Sequence, residues 1–330
     1  MHAITYRRFG PAREVLTLEE LETPAPGPGE VLVELAFSGV NPSDVKARAG
    51  SRPGVTEPPY PVIIPHSDGA GEIVAVGDGV DRSRVGQRVW VWNGQWRRAF
   101  GTAASHIALP AAQAVPLPGT TSFETGATLG IPGQTATHTV FHGGPVEGRS
   151  VLIHGGGGTV GFLAVQLARW GGARVIATSS PRDFDRLRDA GADSVLDYSD
   201  PELAQAILAA NDGQPVERIV EVEFGVNAAT DAEVIAEAGQ INAYGSAKSM
   251  NPVVPFYALM FKAVTLHMAL IYLLTDAQRA ETARLLTRAL EADALFCPVD
   301  QVYPMSDCAA AHEAVEAGGR SGSVLVETRA

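Results

Sequence analysis

The sequence contains little cysteine and little positive charge. Of its 330 residues only two are cysteines, Cys297 and Cys308, which are too few for a four-cysteine zinc site or a disulfide framework. Lysine and arginine number 25 against 37 aspartates and glutamates, so the formal net charge is -12. Because such a chain repels a polyanion, nucleic acid is a poor candidate for its partner. A reducing compartment suits the cysteine content, so we expect a cytoplasmic protein.

Long uninterrupted apolar runs are also absent. The most apolar stretch, residues 253–274, is interrupted by Pro255, Lys262 and His267, whose polar groups would be costly at the centre of a bilayer. We therefore expect no membrane insertion, and the stretch is more typical of a buried strand that also contacts a second subunit. Residues 1–8 lack the apolar core of a secretory signal, which agrees with the cytoplasmic expectation.

The sequence is long, and its pattern of apolar runs changes near residue 120. A chain of 330 residues exceeds one ordinary domain. Before residue 118, Gly and Pro separate the short apolar runs 31–35, 71–77 and 88–92, which predicts a small β structure. After it, alternating strand and helix candidates predict a parallel, doubly wound sheet. The strand candidates are residues 150–154, 173–178, 194–197, 218–222 and 240–244.

Helix and strand signals mark the borders of this second region. Thr121 and Glu124 have the spacing of a capping box, so we expect a helix with Thr121 as its N-cap. Thr275 and Asp276 open a long amphipathic helix that reaches about Ala292. The closing strand, residues 323–326, comes after the alternation has ended, and we expect it to belong to the first domain.

A glycine cluster follows the first strand of the second region. Gly156, Gly158 and Gly161 have the G-x-G-x-x-G spacing between the apolar strand 151–153 and the apolar helix 162–168. In this context the glycines allow a tight turn and let the backbone approach a pyrophosphate at the N-terminus of the helix. The pattern predicts a dinucleotide site, with a flexible turn that binds no ligand as the alternative.

The end of the next strand indicates which dinucleotide is bound. Ser179 stands about 18 residues after Gly161, close to the position at which an acid would bind the ribose of NAD. With no carboxylate there, Ser179, Ser180 and Arg182 are suited to the 2′-phosphate of NADPH. The competing interpretation of Arg182 is an exposed arginine at the start of a helix.

Five segments together resemble a known family over essentially the whole chain. They are residues 38–44, 66–71 and 129–136, the glycine turn, and residues 321–323. The chain is similar to the zinc-independent quinone oxidoreductases, the zeta-crystallin-like branch of the medium-chain dehydrogenase/reductases. This resemblance implies an α/β protein with a GroES-like, β-rich catalytic domain (1–123 and 272–330) and a Rossmann NADPH-binding domain with a doubly wound parallel sheet (124–271). It also implies hydride transfer from NADPH to a quinone or related conjugated carbonyl, in a homodimer.

The resemblance also assigns catalytic candidates. Zinc-dependent relatives have a cysteine in the segment that matches Asn41 and a histidine–glutamate pair in the segment that matches Ser67 and Asp68, so we expect no metal here. His66, one position early, is interpreted as a loop histidine. Asn41 would donate a hydrogen bond to the oxygen that gains charge, or it only shapes an Asn-Pro turn. Lys46, where many relatives have tyrosine, is a second catalytic candidate or a solvated surface lysine.

The cofactor-binding residues implied by the resemblance come from both regions. Asp183 occupies a position that is lysine in some relatives, which weakens the preference for NADPH, and Arg182 would supply the missing cation. The alternative functions are an enone or enoyl-thioester reductase on the same fold and a catalytically weak, NADPH-binding redox sensor. The cofactor set comprises Asn41, Lys46, Thr135, Gly156, Gly157, Gly158, Thr159, Val160, Gly161, Ser179, Ser180, Arg182, Tyr198, Gly245, Ser246, Ala247, Ile271, Tyr272 and Ser323.

Overall fold

The computed structural model describes residues 1–51 and 54–329. Its strands, in chain order, are β1 (His2–Thr5), β2 (Thr17–Glu20), β3 (Glu30–Val40), β4 (Asp68–Val76), β5 (Arg88–Val91), β6 (His106–Pro110), β7 (Ala114–Pro116), β8 (Ser150–Ile153), β9 (Arg174–Ser179), β10 (Ser194–Asp197), β11 (Val216–Glu221), β12 (Ile235–Ala243), β13 (Thr265–Met268), β14 (Val299–Pro304) and β15 (Ser323–Glu327).

The helices are distributed along the whole chain and become longer after residue 150. In chain order they are α1 (Ala12–Val15), α2 (Pro42–Arg48), α3 (Phe123–Gly126), α4 (Gln134–Phe141), α5 (Thr159–Trp170), α6 (Phe184–Asp189), α7 (Leu203–Ala210), α8 (Phe224–Val234), α9 (Phe256–Phe261), α10 (Asp276–Glu291) and α11 (Cys308–Ala317).

The first compact unit comprises Met1–Ile131 and Cys297–Ala330. Among the described residues its main sheet has the strand order β14-β15-β3-β4-β5-β7, and β6 also pairs with β3. The closing strand β15 runs antiparallel to β3, with Val324 opposite Val40. This pairing confirms that the closing strand belongs to the first unit. Alternate residues of β3, such as Val33 and Leu35, are buried in the core of the sheet.

The second compact unit is Pro132–Phe296. Its six-stranded sheet, all of it within the described chain, has the order β10-β9-β8-β11-β12-β13 and is parallel throughout. The predicted doubly wound parallel sheet is therefore confirmed. Its core is formed by apolar side chains of the strands and of helices α7 and α8, including Leu152, Ile176, Ile219 and Phe224.

The boundaries between the units differ from the sequence-based ranges 1–123, 124–271 and 272–330. The difference at the C-terminal side comes from α10, which is in the second unit because it packs on α4. The Arg279 guanidinium donates to Gln134 Oε1 over 3.3 Å, and Leu286 is fully buried. The predicted start of α10 is confirmed, because Thr275 is its N-cap and its Oγ1 accepts from the Gln278 amide.

Two local predictions were wrong. The N-cap of α3 is Ser122 and not Thr121, since the Ser122 hydroxyl accepts a hydrogen bond from the Thr125 amide over 3.2 Å. Residues 253–274 are not a buried strand: they form α9 and the short strand β13, which lies at the edge of the parallel sheet. An edge strand has a neighbour on one side only, so side chains such as Met268 remain exposed in the single chain. No helix of the described residues is long and apolar enough to cross a bilayer.

Candidate active site

The glycine turn joins β8 to α5. Gly155 has a φ of 67°, in the left-handed region that favours glycine. A Cβ at Gly161 would lie 2.2 Å from the Gly155 carbonyl oxygen, and a Cβ at Gly157 would lie 2.5 Å from Asp183 Oδ2. Neither position therefore has room for a side chain. The N-cap of α5, Gly158, supplies no side-chain hydrogen bond, so the amides of the first helical turn suit an anion.

Most cofactor candidates of the second unit lie just beyond the carboxyl ends of its parallel strands. Because these ends share one edge of the sheet, the structure brings the candidates together there, at the edge where doubly wound sheets bind ligands. The glycine turn with Thr159 and Val160 follows β8, Ser179 ends β9, Tyr198 follows β10, Gly245, Ser246 and Ala247 follow β12, and Ile271 and Tyr272 follow β13. Thr135 is placed differently, buried inside α4.

The loop after β12 is held against the end of β11. A Cβ at Gly245 would lie 2.2 Å from the Val222 carbonyl oxygen, so the loop approaches that strand end closely. The Gly245 carbonyl accepts from the Phe224 amide over 3.0 Å. The Ser246 hydroxyl accepts from the Gly225 amide over 2.9 Å. These bonds connect the loop to the start of α8 and define its position at the sheet edge.

At the end of β9 the structure places Asp183, the acid that weakens the expected preference for NADPH, among the residues predicted to bind the 2′-phosphate. Asp183 is buried, and its Oδ2 accepts hydrogen bonds from the hydroxyls of Ser179 and Ser180, each over 3.4 Å. Arg182 Nε lies 3.3 Å from the same oxygen, although its side chain is 58% exposed. The three residues predicted to bind a 2′-phosphate are therefore arranged around an internal carboxylate.

A second guanidinium group, which the sequence analysis missed, faces the same carboxylate. Arg186 Nε lies 3.9 Å from Asp183 Oδ1, and Arg186 Nη2 donates to the Gly157 carbonyl oxygen over 2.8 Å. Burial lowers the pKa of Arg186, but an arginine remains protonated in the neutral range. Two guanidinium groups and one carboxylate give this corner a net positive charge, which favours an anionic group of a ligand.

Below the glycine turn lies a buried cluster of ionisable groups. His154 directly follows β8, and its Nε2 lies 3.0 Å from Asp231 Oδ1 and 3.7 Å from Glu221 Oε2. Burial acts to lower the pKa of His154, but the hydrogen bond to Asp231 and the two carboxylate charges raise it overall. Burial raises the pKa of Glu221 to about 7. The cluster therefore contains a carboxyl group with a pKa near neutrality, next to the residue that leads into the glycine turn.

In the first unit, Asn41 follows β3 and is buried. Its backbone amide donates to Asp44 Oδ2 over 2.8 Å, and its Nδ2 donates to Asp68 Oδ2 over 2.7 Å. Asp68 Oδ2 also accepts from the Ile131 amide over 2.9 Å. Burial and the nearby Asp44 charge raise the pKa of Asp68 well above its ordinary value. Asp68 thus fixes the side chain of Asn41, whose amide carries a second N–H.

The remaining candidates of the first unit lie near Asn41 in the fold. β15 begins with Ser323, which precedes Val324, and Val324 lies opposite Val40, the residue before Asn41. Ser323 is buried. Lys46 is on α2, the helix that Asn41 precedes, and its side chain is exposed. The structure therefore brings Asn41 and Ser323 to one end of the main sheet, with Lys46 one helical turn further along.

His66 lies in the loop that precedes β4, as expected, and its side chain is away from the surface. It has a φ of 74° and is buried, with its Nδ1 2.9 Å from Ser38 Oγ and its Nε2 2.8 Å from His312 Nε2. The Cys308 sulfur and one nitrogen of each ring lie within 4.8 Å of one another. Burial lowers the pKa of His66 to about 3 and raises the pKa of the Cys308 thiol to about 12. The contacts of His66 with Ser38 and His312 make this cluster an internal hydrogen-bonding group.

The sequence contains local signals for only some of the residues that were not predicted as site residues. Asp68 lies inside the motif of residues 66–71, in the segment that matches the histidine–glutamate pair of the zinc-dependent relatives. Arg186 stands four residues after Arg182, one turn along the same helical segment, so its spacing was informative. His154 and Asp231 are 77 positions apart, and no local pattern connects them.

Comparison with known families agrees with this architecture. Residues 27–119 match the family model described as the alcohol dehydrogenase GroES-like domain, and residues 159–289 match the model described as zinc-binding dehydrogenase. The first match lies in the first compact unit, and the second lies in the unit that contains the parallel sheet.

Individual relatives identify the branch. The chain is 29% identical over 333 residues to the quinone oxidoreductase of Rattus norvegicus, covering 99% of this chain and 97% of that protein. It is 32% identical over 248 residues to a chloroplastic quinone-oxidoreductase homolog of Spinacia oleracea, covering 73% of this chain and 74% of that protein. A mycobacterial protein solved in complex with NADPH superposes with a TM-score of 0.84, at 28% identity and 99% coverage of both chains. The chain therefore belongs to the medium-chain dehydrogenase/reductase superfamily, in its zinc-independent quinone oxidoreductase branch.

Proposed function

We propose that this protein transfers a hydride from NADPH to a quinone or a related conjugated carbonyl compound. The observation that carries the proposal is the edge of the parallel sheet, where the glycine turn, the N-terminus of α5 and Arg182 adjoin the carboxyl ends of β8 and β9. This combination suits the pyrophosphate and the adenosine phosphate of a dinucleotide. The names of the rat and spinach relatives support the acceptor class.

The residues at this edge fit a nicotinamide dinucleotide. Side chains would be excluded at Gly157 and Gly161, which leaves the turn backbone accessible to a phosphate. The glycine turn and the first turn of α5 would hold the pyrophosphate, although the Gly156 and Gly158 amides already donate to Thr178 and Gly155. Ser180, Arg182 and Arg186 would hold the 2′-phosphate. When bound, the cofactor supplies the hydride.

NADPH is the cofactor that the charges favour over NADH. Asp183 alone would repel a 2′-phosphate, but Arg182 and Arg186 lie within 3.3 Å and 3.9 Å of its carboxylate. The net positive charge of this group compensates the carboxylate, and Arg182 is sufficiently exposed to turn towards a ligand. A bidentate guanidinium–phosphate contact is among the stronger charge-assisted hydrogen bonds.

Asn41 is the proposed catalytic residue. One N–H of its side-chain amide is used by Asp68, and the other would donate to the substrate oxygen as negative charge develops there. Asp68 is a positioning residue because it acts through Asn41. Lys46 is retained as a second candidate that would bring positive charge to the same oxygen or to a phosphate. Neither residue resembles a metal ligand, and the proposed transfer uses no metal.

The proposal is tested with purified protein by following NADPH oxidation against benzoquinones, naphthoquinones, enones and simple aldehydes, before and after treatment with a chelator. We expect turnover with quinones that the chelator does not change. Turnover with enones or enoyl thioesters alone would replace the quinone acceptor by the alternative substrate class. Tight NADPH binding without turnover on any acceptor would identify a redox sensor, and chelator-sensitive turnover would contradict the metal-free transfer.

A homodimer is proposed from the surface around β13. The strand has a free edge, and the surrounding surface exposes large apolar side chains, including Val253, Phe256, Tyr257, Phe261, Met268 and Leu273. A second copy that pairs at this edge would cover both the backbone groups and the apolar surface. Light scattering should give a dimer for the natural chain, and Met268→Asp should shift it towards monomer. A natural chain that is monomeric at micromolar concentration would contradict the proposal.

We also place the protein in the cytoplasm. Cys297 and Cys308 are both free and buried, which is the state expected in a reducing compartment. Cell fractionation with an antibody against the protein tests this location, and recovery in a secreted fraction would contradict it.

A further inference from the structure

Three imidazole rings meet on one side of the parallel sheet, apart from the glycine turn. His138 lies in α4, His142 is the C-cap of the same helix, and His267 lies in β13. The spacing of four residues places His138 and His142 on one face of the helix. The tertiary structure adds the third ring from a segment 129 residues away. We call these three residues the imidazole cluster.

The nitrogen atoms of the imidazole cluster are close enough to share one ion. His138 Nε2 and His267 Nε2 are 3.0 Å apart, and the rings of His142 and His267 stack with their centroids 3.9 Å apart. One nitrogen from each ring can be chosen so that all three lie within 4.8 Å of one another. Tetrahedral zinc with Zn–N bonds of about 2.0–2.1 Å requires nitrogen pairs about 3.3 Å apart. Small rotations of the side chains reach that geometry.

The chemistry of the rings suits a metal ion better than it suits their contacts with one another. A neutral imidazole has one nitrogen lone pair that a metal ion can accept. Two neutral imidazoles need one donor and one acceptor to form a hydrogen bond, whereas a metal ion accepts lone pairs from all three rings.

The imidazole cluster also adjoins open space. His138 and His142 line a cavity of about 320 Å³ together with Phe141, Gln278, Glu281 and Leu285. His142 and His267 are only half-buried, so an ion can reach the cluster from solvent. A site with three protein ligands and a cavity beside it has room for water or a small anion in the fourth position.

Nearby charges both oppose and favour the binding of a cation at the imidazole cluster. Arg218 donates to the Val140 and Gly144 carbonyl oxygens at the end of α4, so its positive charge lies close to His142. A cation at the cluster must overcome this repulsion. The Glu281 carboxylate on the cavity wall is ion-paired with Arg284 over 2.6 Å, and the negative end of α4 acts in favour of a cation.

From this geometry we propose that the imidazole cluster binds one divalent transition-metal ion of the zinc class through His138, His142 and His267. The ligand set contains nitrogen only, so it suits Zn²⁺, Co²⁺, Ni²⁺ or Cu²⁺ and not Mg²⁺ or Ca²⁺, which prefer oxygen. The site is formed entirely within the second compact unit and uses none of the residues assigned to the hydride transfer. It is therefore independent of the proposed function.

The experiment is a titration of chelator-treated full-length protein with Zn²⁺ by calorimetry, and with Co²⁺ by absorption spectroscopy. We expect one equivalent per chain and a cobalt spectrum typical of tetrahedral nitrogen coordination. His142→Ala and His267→Asn should each weaken the affinity by at least about tenfold, since each removes one ligand. Both positions are half-buried, so folding should survive these changes.

The matched control is His106→Asn. His106 is also half-buried, and its Nδ1 contacts the hydroxyl of the adjacent Ser105 in the first unit. This variant should bind metal as tightly as the natural chain. Because His267 lies in the strand of the proposed dimer edge, light scattering should accompany each titration to separate loss of metal from loss of assembly. Absence of a stoichiometric site in the natural chain, or unchanged affinity in both cluster variants, would overturn the proposal.

Discussion

The side-chain amide of Asn41 donates a hydrogen bond to the buried carboxyl group of Asp68, with 2.7 Å between Nδ2 and Oδ2. Asp68 has no exposed surface, and a Cβ at Gly130 would lie only 2.0 Å from its Oδ1. The carboxyl group is therefore fixed on both sides. This hydrogen bond orients the Asn41 side chain and uses one N–H of its amide.

Replacing Asn41 tests whether the second N–H of its side-chain amide contributes to the reaction. Asn41→Ala should lower kcat for quinone reduction by about 10²-fold or more, the usual cost of losing one donor to a developing oxyanion. The Kd for NADPH, measured by fluorescence titration, should change little if the amide acts on the acceptor. Unchanged kcat would leave Asn41 with only its role at the start of α2.

Replacing Asp68 separates positioning from folding. Asp68→Asn retains an oxygen that can accept from Asn41, so it should keep most of the activity, whereas Asp68→Ala releases the Asn41 side chain and should reduce kcat more than KM. Circular dichroism and the Tm of both variants serve as the folding control. Equal activity of the Ala and Asn variants would show that Asp68 does not act through Asn41.

Arg182 should determine much of the preference for NADPH. Arg182→Ala removes one charge-assisted contact and should weaken NADPH binding by roughly 10- to 100-fold with little effect on NADH. Arg188→Ala is the matched control, because Arg188 is exposed on the adjoining helix and pairs with Asp185 over 2.7 Å. Equal losses for the two cofactors would contradict a 2′-phosphate contact.

Asp183 should weaken the preference for NADPH that Arg182 strengthens. Asp183→Asn keeps the hydrogen-bonding groups near Ser179 and Ser180 but removes the negative charge that Arg182 and Arg186 compensate. The ratio of the NADH and NADPH dissociation constants should therefore rise by about tenfold in favour of NADPH. A fall in that ratio would indicate that the carboxylate orders the arginines for the phosphate.

Stability should depend on pH through Glu221. Burial raises its pKa from 4.5 to about 7 in the folded protein, so the folded state binds the proton more tightly than the unfolded state. Its contribution to the free energy of unfolding is present below the unfolded pKa and is lost as the pH rises through about 7. Glu221→Gln resembles the protonated acid, so its Tm relative to the natural chain should rise between pH 4.5 and 7. Glu237→Gln, at an exposed position, should show no such trend.

The fold was largely predictable because its signals are local. Strand-length apolar runs, the helix start at Thr275 and the glycines of residues 155–161 each depend on neighbouring residues, and the structure contains all of them. The N-cap of α3 was misplaced by one residue because Thr121 and Ser122 both carry a hydroxyl, and only the backbone conformation selects between them. The exposure of residues 253–274 depends on the place of β13 at the sheet edge, which composition does not reveal.

The candidate sites were predictable only in part, because many of their contacts join residues that are distant in the sequence. The sequence by itself determined the two-region architecture and the strand–glycine turn–helix segment, because each follows from residue type and spacing within a short segment. The candidate role of Asn41 came from the resemblance to the family. The tertiary structure decided what the site residues contact. The Asn41 amide donates a hydrogen bond to Asp68, and the Asp183 carboxylate contacts Ser179 and Arg182. The His267 ring lies beside those of His138 and His142. Hydrogen bonds and ion pairs act over a few ångströms, and only the folded backbone brings distant positions within that range.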